Sequence, residues 1–270
     1  MRRRSQLYVP ANNPRMIAKA ATLDADSIVF DLEDAVPLEE KVTARVSLGS
    51  ALGKADWGSR HLAVRINAPG TPDGQADIVT LAAEPRITTL VIPKAEADLS
   101  PLARATGKDL IPLIETPTGL LHIEEVVRSE RAIAVSYGPS DLAASIGGEI
   151  RTWERNPYVR TLIAVAAAAY GLDAIDKVFF DLKDLDRFRE EALDAKRLGY
   201  VGKQVVHPDQ VPVANEVFSP SPEELGWATE VVAAYEAAAR EGRGAIRVRD
   251  RLVDAVHYHL AKRTLERAKA

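Results

Sequence analysis

The stretch Leu110-Ile111-Pro112-Leu113-Ile114-Glu115 decides how this chain reads. An unbroken apolar run stops at a carboxylate. Such a run, without polar alternation, is buried on both faces, as strands of a parallel sheet are. The pattern recurs at residues 6–9, 27–31, 62–65, 89–94, 132–136, 177–181 and 204–207. Helix-like segments separate the runs, at 14–23, from Pro37 onward, and at 120–129, 158–169 and 182–198. The last carries Leu185, Phe188, Ala192 and Ala195 at helical spacing, and Gly199 marks its end. Strand and helix in eightfold alternation predict an α/β chain folded as a (β/α)8 TIM barrel, whose chemistry sits at the C-terminal ends of the strands. Those ends carry Asp31-Leu32-Glu33-Asp34, Arg65-Ile66-Asn67, Lys94, Glu115, Gly138-Pro139-Ser140-Asp141, Asp181 and His207.

The rhythm breaks after residue 218, so residues 1–218 are expected to form the catalytic barrel and 219–270 a C-terminal extension. In the extension, Ser219-Pro220-Ser221-Pro222 leads into a helix over 223–241, and Gly242-Arg243-Gly244 precedes a hairpin-like piece ending at Asp254. A basic helix follows from about 256. A barrel closes without this helical and hairpin tail, which is expected to serve as a brace or a lid.

Composition narrows the function. The 39 acidic and 35 basic side chains leave a net charge of −4, too balanced for a nucleic-acid or anionic-membrane surface. The absence of cysteine excludes disulfides, thiolate nucleophiles and zinc-thiolate centres. No apolar stretch approaches the roughly 20 residues of a membrane span, and no signal-peptide core follows Met1-Arg2-Arg3-Arg4. A cytoplasmic protein is expected.

Glu115 and Asp141 end neighbouring strands, so their carboxylates can converge on one cation. Two carboxylates with open positions are the usual protein share of a Mg²⁺ site, and Mn²⁺ suits the same ligands. The alternative is an ion pair between Glu115 and Lys94. Arg65, beside Asn67, presents a planar fork suited to a carboxylate or an enolate oxygen, or else forms a salt bridge to Glu33 or Asp31. Lys94 could form a Schiff base with a carbonyl substrate, but acids nearby would keep it protonated and poorly nucleophilic. Arg4, Arg15 and Lys19 are expected to cluster near the first strand end, where they hold phosphates or remain solvated surface.

Taken together, Arg4-Ser5-Gln6-Leu7-Tyr8-Val9-Pro10, Asp31-Leu32-Glu33-Asp34-Ala35-Val36, Val64-Arg65-Ile66-Asn67, Ile92-Pro93-Lys94, Leu113-Ile114-Glu115-Thr116, Gly138-Pro139-Ser140-Asp141-Leu142 and Gly202-Lys203-Gln204-Val205-Val206-His207-Pro208 resemble the citrate lyase β-subunit-like proteins of the HpcH/HpaI aldolase superfamily. The resemblance spans nearly the whole chain in the right order. It implies Mg²⁺ held by Glu115 and Asp141, and Arg65 on the oxygens of a keto acid or thioester. Glu33, Asn67, Pro139 and Ser140 would line the substrate site. Arg4, Arg15 and Lys19 would bind the CoA phosphates.

The reaction implied is cleavage or formation of a citryl-, citramalyl- or malyl-CoA thioester, giving acetyl-CoA and a 2-keto acid. The resemblance further implies a homotrimer or hexamer in which Arg251-Leu252-Val253-Asp254 closes over a neighbouring barrel, with Asp254 as acid/base. The rival implication is the β subunit of a multi-subunit citrate lyase, with the acyl group on an acyl carrier protein. Pro139-Ser140 departs from the small-acidic pair often seen before the metal aspartate, which bears on how a substrate carboxylate is held.

Overall fold

The computed structural model describes residues 2–269. Eight parallel strands close into a barrel in sequence order: β1 (Ser5–Pro10), β2 (Ser27–Asp31), β3 (His61–Arg65), β4 (Thr89–Ile92), β5 (Asp109–Ile114), β6 (Ala134–Tyr137), β7 (Asp173–Asp176) and β8 (Gly202–Val205). Closure is set by β1, which pairs with β2 from Gln6↔Ser27 to Pro10↔Asp31 and with β8 from Ser5↔Lys203 to Leu7↔Val205. Val29, Ala63, Val91, Ile111, Leu113, Ala134 and Ile175 form a buried apolar cluster, with Tyr8 packed against it. The fold expected from the apolar runs is the fold observed.

Helix entry follows one local recipe. A capping residue precedes a proline at Asn13-Pro14, Thr71-Pro72, Thr116-Pro117 and Asn156-Pro157, and each cap side chain accepts a backbone N–H of the first turn. Proline lacks only a donor that has no helical partner there, and its φ is already helical. At the N-terminal end of the barrel, His61 bridges Ser27 Oγ (3.0 Å) and Thr89 Oγ1 (2.6 Å), joining the starts of β2, β3 and β4. It is a satisfied, buried histidine, and burial lowers its pKa to about 4.

The seventh strand corrects the sequence reading. Residues 177–181 are irregular, and the strand is the preceding Asp-Ala-Ile-Asp segment. Its polar ends disguise it. Asp176 is fully buried because Lys203 Nζ lies 2.5 Å and Arg160 3.6 Å away, and Glu191 joins the same network 2.7 Å from both Lys177 and Lys203. These opposite charges pair with one another among β7, β8 and the helices Pro157–Ala169 and Leu185–Leu198.

The chain divides into two compact units, Arg2–Glu216 and a C-terminal one from Val217. The second unit contains the helix Pro222–Arg240, opened by a Ser221/Glu224 capping box, and the hairpin β9 (Ala245–Val248) and β10 (Arg251–Asp254). The helix Ala255–Lys269 follows. Arg249 and Asp250 both have positive φ, as a two-residue primed hairpin turn requires. Ala228, Val231, Val248, Val253 and Ala261 form its core. Among the described residues, no helix is long and apolar enough to cross a membrane.

Candidate active site

A cavity of about 400 Å³ opens at the C-terminal ends of the strands. Arg65, Glu115, Pro139, Ser140 and Asp141 all face it, as do Tyr8 and Asp31. Arg65 ends β3 and is clamped by Asp31, whose two oxygens accept from Nε (2.8 Å) and Nη2 (2.5 Å). Its Nη1 lies 2.8 Å from Glu33, and the guanidinium sits over the Tyr8 ring at 5.6 Å. Burial opposes the charge, but Asp31 and Glu33 outweigh it and raise the pKa, so this arginine is a fixed cation.

Glu115 follows β5 and is 2% exposed. Burial first, then the nearby Glu33 and Asp141 carboxylates, push its pKa up to about 8. Gly138 explains how the side chain fits. A Cβ at that position would meet not only the movable Glu115 Oε2 but also Glu115 Cβ at 2.8 Å, so glycine is what admits the glutamate beside the turn into the helix Pro139–Ile146. Asp141 lies in the first turn of that helix. Two carboxylates thus border one cavity in a region overloaded with negative charge. Among the described residues, no group of three or more acids or histidines is arranged as a metal cage. Two carboxylates lining one open cavity fit a divalent cation that takes two protein oxygens and keeps open positions.

Lys94 lies between the two halves. Its Nζ donates to Glu33 Oε1 (2.7 Å) and stands 3.8 Å from Asp141, while its backbone N–H donates to Glu115 Oε1 (2.9 Å). The alternative ion pair of Lys94 with Glu115 is not formed: only the main-chain N–H of Lys94 meets Glu115, and the ammonium goes to Glu33. Burial opposes the ammonium's charge, but Glu33, Glu115 and Asp141 raise its pKa, which suits an ion-pair partner rather than a Schiff-base nucleophile.

Three expectations need correction. Asn67 does not face the cavity: its Nδ2 donates to Leu32 O (3.0 Å) and Asp77 Oδ2 (2.8 Å), and its Oδ1 accepts from Lys41 Nζ (2.6 Å). With every amide group committed, it is scaffold. Arg4 does not join Arg15 and Lys19. It lies just before β1 and is held by Asp26 at 2.7 and 2.8 Å, at the opposite end of a strand about 20 Å long. Arg15 and Lys19 line a second cavity of about 180 Å³, which shares Tyr8, Val9, Met16 and Val206 with the first.

Glu33, also expected to line the substrate site, is not among the cavity-lining residues and is buried between Arg65 and Lys94. Asp254 lies in the C-terminal unit, where its Oδ1 accepts from the backbone N–H groups of Val256 (3.0 Å) and His257 (3.3 Å) and lies 2.7 Å from His257 Nδ1. Sequence reasoning missed Tyr8, Gln204, Val178 and Phe180 as cavity walls. The hydroxyl of Tyr8 within an apolar strand was the available signal, and Gln204 Nε2 donates to it at 3.1 Å.

The model of the HpcH/HpaI aldolase/citrate lyase family matches residues 4–208, the span that carries every one of these barrel groups. The chain belongs to that family. It is 37% identical over 271 residues to a (3S)-malyl-CoA thioesterase of Cereibacter sphaeroides, covering 99% of this chain and 95% of the relative. A mitochondrial citramalyl-CoA lyase of Rattus norvegicus is 34% identical, over 93% of this chain and 82% of the relative. The crystal structure of CitE from Mycobacterium tuberculosis, in complex with magnesium, acetoacetate and coenzyme A, superposes with a TM-score of 0.82 at 33% identity, covering 98% of both chains. The family barrel is therefore present from β1 to β8, with the arginine and both acids at strand ends.

Proposed function

We propose that this chain is a divalent-metal-dependent carbon–carbon lyase acting on the CoA thioester of a β-hydroxy acid, with release of acetyl-CoA and a 2-keto acid, or the reverse. The observation that carries the reading is the convergence of Arg65, Glu115 and Asp141 on one cavity. Glu115 and Asp141 would hold the metal, and Pro139 and Ser140 would form the wall beside the keto-acid portion. Mg²⁺, or Mn²⁺, bound there would supply Lewis-acid polarisation of the substrate's hydroxyl and carboxylate oxygens.

The hydroxyl loses its proton, the carbon–carbon electron pair moves to the thioester as an enolate, and the new methyl carbon takes up a proton. Arg65 lines the cavity and is locked by Asp31 and Glu33, so its guanidinium is placed to stabilise the enolate oxygen without reorganising. Asp254 exchanges the proton with the acetyl carbon. Arg15 and Lys19 bind CoA phosphates in the adjoining cavity, which favours free CoA over a carrier-protein-bound acyl group. A cytoplasmic homotrimer or hexamer belongs to the same reading.

A panel of malyl-, citramalyl- and citryl-CoA with Mg²⁺ tests it, with acetyl-CoA, keto acid and free CoA quantified separately. Equal amounts of acetyl-CoA and keto acid are expected, and EDTA should remove both. Likeness to the malyl-CoA thioesterase over nearly the whole chain favours hydrolysis as the second reading. Free CoA without acetyl-CoA would select it. Asp254→Asn separates proton transfer from helix capping: loss of an acid/base lowers kcat by roughly 10²–10⁴, whereas a lost cap moves only the melting temperature.

A further inference from the structure

Lys94 combines two features that the reaction above does not use. Its φ of 49° lies in the left-handed region, which a lysine occupies at a cost. In that conformation one residue addresses all three acids: its N–H meets Glu115 Oε1, its ammonium meets Glu33 Oε1, and the same ammonium stands 3.8 Å from Asp141 Oδ1.

We propose that Lys94 is a built-in counter-cation that competes with the divalent ion for this acid cluster and thereby sets the metal affinity of the site. The inference rests on the metal reading of Glu115 and Asp141. In their ionised forms Asp31, Glu33, Glu115 and Asp141 supply four negative charges against Arg65 and Lys94, a formal −2 that one dication neutralises. Asp34, 3.4 Å from Arg65, has a side chain 60% exposed, and solvent screens it. Arg65 is committed to Asp31 and cannot move to a new partner without breaking two short bonds.

Lys94 is held at its ammonium by one close bond and rides on a flexible stem. A dication on Asp141 repels it, and Glu33, already 2.7 Å away, is the partner that keeps it. Glu33 also touches Arg65, so metal occupancy and the placement of the arginine are coupled through this lysine. Lys94 is a positioning residue on this account, and its charge weakens metal binding rather than supporting it.

The sign of the effect tests the inference. Calorimetric titration with MgCl₂ alone, without substrate, compares the wild type with Lys94→Met, Lys94→Gln and Lys94→Arg, with thermal melts as a check on folding. Removing a unit positive charge within a few ångströms of a dication should tighten Mg²⁺ binding roughly tenfold or more, and Lys94→Arg should leave it within about threefold. Glu33→Gln, which removes a nearby negative charge and also leaves the ammonium free to lean on Asp141, should weaken it, and Glu33→Gln combined with Lys94→Gln should regain the affinity if the lysine is the competitor. Unchanged or weaker binding in Lys94→Met and Lys94→Gln would overturn the inference, leaving the lysine as a support for Glu33. A separate outcome overturns the metal reading and the inference together: no binding by the wild type, or binding that survives Glu115→Gln.

Discussion

Two clusters of charge lie in the barrel unit, and their balances are opposite. Around the cavity, Asp31, Glu33, Glu115 and Asp141 outnumber Arg65 and Lys94. Between the barrel and its helices, Lys177, Lys203 and Arg160 outnumber Asp176 and Glu191. Each includes a carboxylate largely withdrawn from solvent, yet Glu115 is pushed up to about 8 and Glu191, whose side chain is 17% exposed, is held down to about 2. Burial raises both values. At Glu115 the neighbouring acids add to it, and at Glu191 Lys203 and Lys177 overcome it. Burial alone therefore does not mark a functional carboxylate. The mark is burial among more acids than cations, because such a cluster is stabilised by a ligand that brings positive charge.

The comparison predicts different losses from similar substitutions. Glu115→Gln or Asp141→Asn should lower lyase activity by roughly 10³ or more, as expected when the support for developing charge is removed. Thermal stability should stay level or rise, since a repulsive charge is gone. A melting temperature that falls sharply in either variant would place these acids in the structural class.

Glu191→Gln should do the reverse. It leaves the buried Lys177 without its carboxylate and Lys203 with Asp176 alone, and breaking a buried ion pair costs about 3–5 kcal/mol. Urea unfolding measures the loss, and KM for the thioester should not move. If kcat fell while stability held, the network would belong to the chemistry and the contrast would fail.

A third test uses pH. The folded pKa of His61 is lowered from 6.5 to about 4, so the unfolded chain binds the proton first. Stability from this group is complete above pH 6.5 and is lost as pH falls toward 4, to an extent of about 3 kcal/mol. His61→Gln should flatten that part of the profile. A wild-type curve that stays flat from pH 6.5 to 4.5 would mean that His61 takes up its proton while folded.

The contrast between the clusters also explains what the sequence made legible. Strands β1, β2, β3 and β5 announce themselves because their apolar runs end at residues that face the cavity, and β4 because its run ends at Lys94, which pairs with the acids there; family motifs lie at those ends. The seventh strand was hidden because its last residue is a buried aspartate, whose partners Lys203 and Arg160 lie 27 and 16 positions away. Periodicity cannot report such compensation. The apolar run that took its place, Val178-Phe179-Phe180, is loop, and it is apolar because Val178 and Phe180 wall the cavity while Phe179 packs edge-on against Phe188. Asn67 was misread for a related reason. Its place after β3 was visible, but the bonds from Asp77 and Lys41 that use up its amide come from other elements. The Gly138 requirement is likewise tertiary, since it depends on where Glu115 sits.

The smallest expected effect concerns the basic residues near β1, which looked like one group in sequence. Arg15 and Lys19 line the cavity adjoining the site, whereas Arg4 is spent on Asp26 at the far end of the strand. Arg15→Ala and Lys19→Ala should each raise KM for the CoA thioester by roughly three- to tenfold with kcat nearly unchanged, because an exposed phosphate contact contributes binding that is equal in ground and transition states. The KM effect should shrink as salt rises, since screening removes the attraction. Arg4→Ala should leave KM alone at every salt concentration and lower the urea midpoint, because it leaves Asp26 without its cation. A KM increase in Arg4→Ala equal to that of Arg15→Ala, with stability unchanged, would show that distance from the cavity is the wrong criterion for sorting these cations. A shift confined to Arg15 and Lys19 would support the adjoining cavity as the CoA path.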